Sequence, residues 1–206
     1  MIFIIILAIN LILAWVFQEI LMTRDMYHSI FSDQLENYRI DEQLRIANRY
    51  KLWGYIILPL IIYLKFVIVS LLLQLPLLLK FIEISFNKIY RVVMFASLAF
   101  VVMNIVYMLW IFQQPVTAIN ENMLKVIPLS LGNLVDISRY SSSTISLLST
   151  LNIFEGCWLA ILFYGFTIIA GDKISKTDVF MLVISVWCFL FILKFSLLIF
   201  MEKIFG

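Results

Sequence analysis

Apolar residues in this chain gather into five long unbroken runs, and polar residues gather between them. The runs are Ile2–Phe17, Leu52–Leu79, Val92–Phe112, Leu151–Gly171 and Val179–Phe200. A helix rises about 1.5 Å per residue, so roughly 20 apolar residues cross a bilayer. The first run reaches that length only if Gln18 to Leu21 join it. The second exceeds it, and Pro59 and Pro76 are the places where it is expected to kink or end. No ten-residue segment alternates apolar with polar, so a barrel of strands is not expected. The pattern predicts an all-α polytopic integral membrane protein, a single domain over 1–206 with five transmembrane helices.

One polar loop has helical character of its own. The stretch "SDQLENYRIDEQLRIANRYKLW" opens with Asp33 and Glu36 in capping-box spacing. Asp41 with Arg45, and Glu42 with Arg45, stand one helical turn apart and can pair. These features predict a helix over about 32–51 that runs on into the second span. Between Gln113 and Thr150, Leu129, Leu131, Leu134 and Val135 suggest a short segment lying on the membrane surface.

Composition moves the same way. The chain is 64% hydrophobic and only 14% charged, against about 45–50% and 25% in ordinary soluble domains. A net charge of +2 gives no broad basic surface, so nucleic acid is not an expected partner. The N-terminal run lacks a preceding basic region and a cleavage-site pattern, and it reads as an uncleaved span. Cys157 and Cys188 both fall in apolar runs and do not suggest a disulfide framework. The lone histidine, His28, reads as a satisfied surface or interfacial residue.

Five spans place the termini on opposite sides. Side A holds residues 18–51, 113–150 and the C-terminal tail; side B holds the N-terminus, 80–91 and 172–178. Side A carries the larger number of Lys and Arg, whereas side B concentrates Lys80, Lys88, Arg91, Lys173 and Lys176 in two short loops. The positive-inside rule therefore gives a split answer. Trp15, Trp53 and Trp110 fall at the side-A ends of their spans, where indole favours the interface.

Charges inside spans are costly and point to function or to specific partners. Three are present: Lys65, Glu155 and Lys194. Counted from the loops, Glu155 lies about one turn in from side A and Lys194 at a similar depth on the next span. A structural ion pair between Glu155 and Lys194 is expected, or else both side chains reach outward to the headgroups. Lys65 falls near mid-membrane, level with Asn10 and Asn104, which predicts an intramembrane polar cluster of Asn10, Lys65 and Asn104. Interhelical hydrogen bonds of this kind contribute about 0.6 kcal/mol each.

Catalytic patterns are missing from the sequence: no G-x-S-x-G, H-E-x-x-H, P-loop or C-x-x-C occurs. No catalytic set, cofactor or metal is expected.

The second half carries a further pattern. "SFNKIYRVVMFASLAFVV" leads into the third span. "LNIFEGCWLAILFYGFTIIAGDKISKTDVFMLVISVW" then gives a span with a Trp, a Gly and a basic turn before the last span. Over roughly residues 85–187, and in span count throughout, the chain resembles the Yip-one family of five-span membrane proteins, especially small bacterial members. Trp158, Gly165, Lys173 and Lys176 match the family pattern. The resemblance implies a bacterial inner-membrane protein with a cytoplasmic N-terminus and an extracytoplasmic C-terminus. The GTPase contacts of eukaryotic members use a cytoplasmic N-terminal region, and they are not carried over to a chain that begins in its first span. The expected function is a non-enzymatic scaffold or accessory subunit of a larger membrane complex. Its expected partners are membrane lipids and other membrane subunits or a homo-oligomer. The competing reading is a transporter or channel component with a polar path near Lys65.

Overall fold

The computed structural model describes residues 2–31, 36–116, 119–136 and 139–205. Its helices are α1 (Ile2–Val16), α2 (Arg24–Phe31), α3 (Asn37–Leu79), α4 (Phe86–Ala96), α5 (Leu98–Phe112), α6 (Glu121–Leu124), α7 (Ser142–Thr150), α8 (Ile153–Ala170) and α9 (Lys176–Phe205). Five stretches are long and apolar enough to cross a membrane: Ile2–Leu21, Asn37–Leu79, Phe86–Phe112, Ile153–Lys173 and Lys176–Met201. The protein is an all-α, multi-pass membrane protein.

Local chemistry explains how these helices begin and end. Gln18 to Leu21 do extend the first span, through a π-helical turn over Phe17–Leu21. α3 is one helix through both Pro59 and Pro76, and it absorbs the polar loop as its first turns. It begins at Asn37; Ser32 to Leu35, including Asp33 of the expected capping box, lie outside the described residues. α3 stops only after Leu79, where Phe81 takes a left-handed φ of 57°. There Ile82 N donates to Leu77 O (2.9 Å) and Phe81 N to Leu78 O (3.0 Å), closing the helix in a Schellman arrangement. α4 and α5 meet at Ser97, whose hydroxyl donates back to Val93 O at 2.8 Å. Phe100 N then bonds Ser97 O (3.1 Å), a local tightening of the ladder.

The described chain divides into two compact units. The first comprises Phe3–Ile61 and Val101–Asn152. Its core joins Leu21, Met26, Ile30, Met108, Ile111 and Ile119. α2 is therefore amphipathic, with Met26 and Ile30 inward. Ser29 Oγ donates to Val116 O (2.8 Å) and Ile119 O (3.0 Å), which fastens the loop after the first span to the loop after the third. On its polar side Arg24 holds Asp41 through two nitrogens, at 2.9 and 2.7 Å, and His28 Nε2 lies 3.5 Å from the same carboxylate. Asp41 thus turns to α2, while Arg45 pairs with Glu42 at 3.7 Å. Lys51 pairs with Glu19.

The apolar loop of this unit forms a short 3₁₀ turn, Leu131–Leu134. Ser130 and Asn133 cap it reciprocally, Ser130 bridges Asn152, and Leu131 N donates to Leu151 O at 3.0 Å. Leu129, Leu131 and Leu134 stay exposed.

The second unit comprises Ile62–Phe100 and the described residues from Ile153 onward. α8 packs against both α4 and α9. Its buried residues Phe154, Trp158, Leu162, Phe166 and Ala170 fall every fourth position, forming a single i±4 ridge of the kind that seats in a neighbouring groove. At Gly165 a Cβ would lie 2.5 Å from Val92 Cγ1. Glycine is what lets α4 and α8 approach here.

Candidate intramembrane polar site

All three intramembrane charges fall in the second unit: Lys65 on α3, Glu155 on α8 and Lys194 on α9. The register between helices decides what each one meets. Phe163 of α8 stacks edge-on with Phe180 of α9, ring centroids 6.2 Å apart. Two turns along α8 in the other direction, Glu155 accepts a hydrogen bond from Trp187 Nε1 at 3.1 Å. The two contacts share one antiparallel alignment, and in it Trp187 is the α9 residue that opposes Glu155. Lys194 stands about 10 Å further along α9, with its charge still acting on the carboxylate.

Glu155 lies in the first turn of α8, and its partner Trp187 stands about 12 Å along α9 from Val179 and about 21 Å short of Met201. The position in the first turn of α8 suits a carboxylate, because the free N–H groups of a helix N-terminus favour negative charge.

The Lys65 ammonium rests over the Phe100 ring, 4.3 Å from its centroid, a cation–π contact that gains strength away from water. Phe100 in turn packs on Trp158, at 5.6 Å between centroids. Trp158 is 4% exposed, and its indole N–H has no hydrogen-bond partner among the described residues. Phe100 lies near the middle of the third span, about 21 Å from Phe86 and about 18 Å from Phe112. The ring therefore holds the ammonium deep. Glu155 attracts the Lys65 charge and Lys194 repels it.

Asn10 and Asn104 meet in the first unit. Asn104 Nδ2 donates to Asn10 Oδ1 at 3.2 Å, and Asn10 Nδ2 donates to Ile6 O at 2.8 Å. Both amides are engaged within the protein. Lys65 belongs to the second unit, where Phe100 takes its charge. Of the positions matching the family pattern, Trp158 and Gly165 are packing residues, as above. Lys173 Nζ donates to Glu83 O (2.9 Å). Lys176 is the first residue of α9 and is exposed. Near it, a cavity of about 270 Å³ is bordered by Pro76, Ile82, Met181 and Ser185, with Lys80 and Asp178 3.4 Å apart.

Sequence reasoning missed Phe100 and Trp187. Both are aromatic residues in apolar runs, where nothing local separates a ring that packs on lipid from one that receives a charge. Chemically, the site can hold and orient charge inside a low-dielectric layer. Among the described residues no three His, Cys, Asp or Glu side chains stand close enough to hold a metal ion.

No protein-family model, no curated protein and no solved structure matches the chain.

Proposed function

We propose that this chain is a non-enzymatic, Yip-one-like integral membrane protein that serves as a scaffold or accessory subunit of a larger membrane assembly. We place it in the bacterial inner membrane with its N-terminus in the cytoplasm. The observation that carries the reading is how little of the spans the chain itself covers. In their most apolar windows the second span has 22% of its residues buried and the last 17%, against 44% in the third. The second span also carries Lys65, on an exposed position. Lipid covers apolar faces well but tolerates charge poorly, and a neighbouring subunit covers both.

The test is extraction from native membranes in mild detergent followed by size separation and protein identification. The reading expects a second membrane protein at fixed stoichiometry. Recovery of this chain alone, monodisperse and without a companion, would refute it.

A further inference from the structure

We infer that the exposed face of α3 beside Lys65 docks a transmembrane helix of a different protein carrying a carboxylate within the membrane. The inference rests on the accessory-subunit reading and names the chemistry of the partner.

Within the second unit, α3 leaves Leu64, Lys65, Ile68, Leu71, Leu75 and Leu78 exposed. The apolar members alternate at spacings of four and three residues. This is the seam by which helices pack knobs into holes. The opposite face of α3 is spent inside the unit, where Phe66, Val69, Leu73 and Leu77 are buried. Lys65 flanks the outer seam. Besides the Phe100 ring face, the described residues offer its ammonium no hydrogen bond or close ion pair.

Charge complementarity selects the occupant. Formally, Lys65, Glu155 and Lys194 set two ammonium groups against one carboxylate, and no other carboxylate occurs in Leu52–Leu79, Phe86–Phe112 or Ile153–Ala170. One more carboxylate evens that count. A lipid phosphate is poorly placed to supply it. Phosphates lie outside a hydrocarbon core about 30 Å thick, whereas the Lys65 ammonium is held on Phe100 near the middle of its span. A second copy of this chain is opposed by its own charge. Copies inserted with one topology pack through this face in parallel, which sets Lys65 against its twin. An Asp or Glu on a foreign span meets neither objection.

The full-length protein, labelled and reconstituted in phosphatidylcholine vesicles, is mixed with a Leu/Ala transmembrane peptide carrying one mid-span Glu. Association is read by energy transfer, with the Gln peptide as reference. The inference expects the Glu peptide to bind at least about tenfold more tightly than the Gln peptide. It expects the preference to vanish in Lys65→Gln, and Lys65→Glu to bind a Lys peptide instead. Ile68→Trp, which keeps the charge and obstructs the seam, should weaken binding of both peptides. Equal binding of the two peptides by the wild type, or a preference unchanged in Lys65→Gln, overturns the inference. So does strong self-association of the wild type through this face. Loss of the preference when phosphatidylglycerol is added, with that lipid retained by the wild type but not by Lys65→Gln, assigns the face to lipid and also overturns it.

Co-purification from native membranes separates the two readings. A companion protein recovered equally with wild type and Lys65→Gln leaves the accessory reading standing and removes this one. A Glu preference in vesicles with no companion in membranes does the reverse.

Discussion

A single methyl group probes the tightest approach between two of these helices. Gly165→Ala places a Cβ 2.5 Å from Val92 Cγ1, and Val92 is itself buried. Overpacking of this kind costs about 1–3 kcal/mol. The unfolding midpoint in detergent should fall accordingly and recover when Val92→Ala is added; an unchanged midpoint would mean that α4 and α8 are not held this close. The charges allow a second test at the same scale. Trp187→Phe removes the donor to Glu155 and should cost about 1 kcal/mol. Glu155→Gln combined with Lys194→Met should give a loss that departs from the sum of the single losses by about 0.5 kcal/mol or more. Strict additivity in detergent unfolding would show that the two charges do not act on each other.

At the scale of elements, the end of α3 is the informative place. A Schellman closure usually puts glycine at the left-handed position, because a Cβ there costs free energy. Here the position belongs to Phe81, which is 94% exposed and so gains nothing from packing within the chain. Phe81→Gly should therefore stabilise the detergent-solubilised protein by roughly 0.5–1 kcal/mol. If the ring instead anchors the helix end among lipid headgroups, as aromatic residues at span ends do, that gain disappears in bilayers. Comparing unfolding in micelles with unfolding in vesicles distinguishes the two situations. α3 also shows why proline is a weaker stop signal here than in water. In lipid every broken backbone bond is exposed to a medium that offers no replacement, so the helix continues through Pro59 and Pro76 and ends where a complete cap forms.

For the whole molecule, the prediction concerns sidedness. Five spans require the residues around Thr23 and those around Ser142 to share one side of the membrane, opposite Ser175. Within the first unit the loop around Thr23 is fastened to the loop after the third span through Ser29 and the Val116 and Ile119 carbonyls, and Lys125 of that loop donates to Ser142, which agrees with that requirement. Cysteines introduced at Thr23 and Ser142, in a protein whose Cys157 and Cys188 are replaced by Ala, should react with an impermeant maleimide from the same face. A cysteine at Ser175 should react only from the other, which the proposed orientation makes the cytoplasm. Labelling of Ser142 and Ser175 from a common face would overturn the five-span topology.

What the sequence determined by itself is the medium and the elements. Apolar length is a local property, and in a medium without water an apolar segment must satisfy its own backbone, so Ile2–Leu21 and the four later spans were legible as helices before any contact was known. The joining of the polar loop to the second span was legible for the same reason. Alignment between helices was not. Residue counting set Glu155 opposite Lys194 and Lys65 level with Asn10 and Asn104, but it did not name Trp187 as the hydrogen-bond donor to Glu155 or Phe100 as the ring beneath Lys65. Lipid-facing and helix-facing residues are equally apolar, so composition carries no signal of which turn meets which. That is decided by shape, by a glycine that admits a valine and by a ridge of every fourth side chain, and shape exists only once the helices are packed.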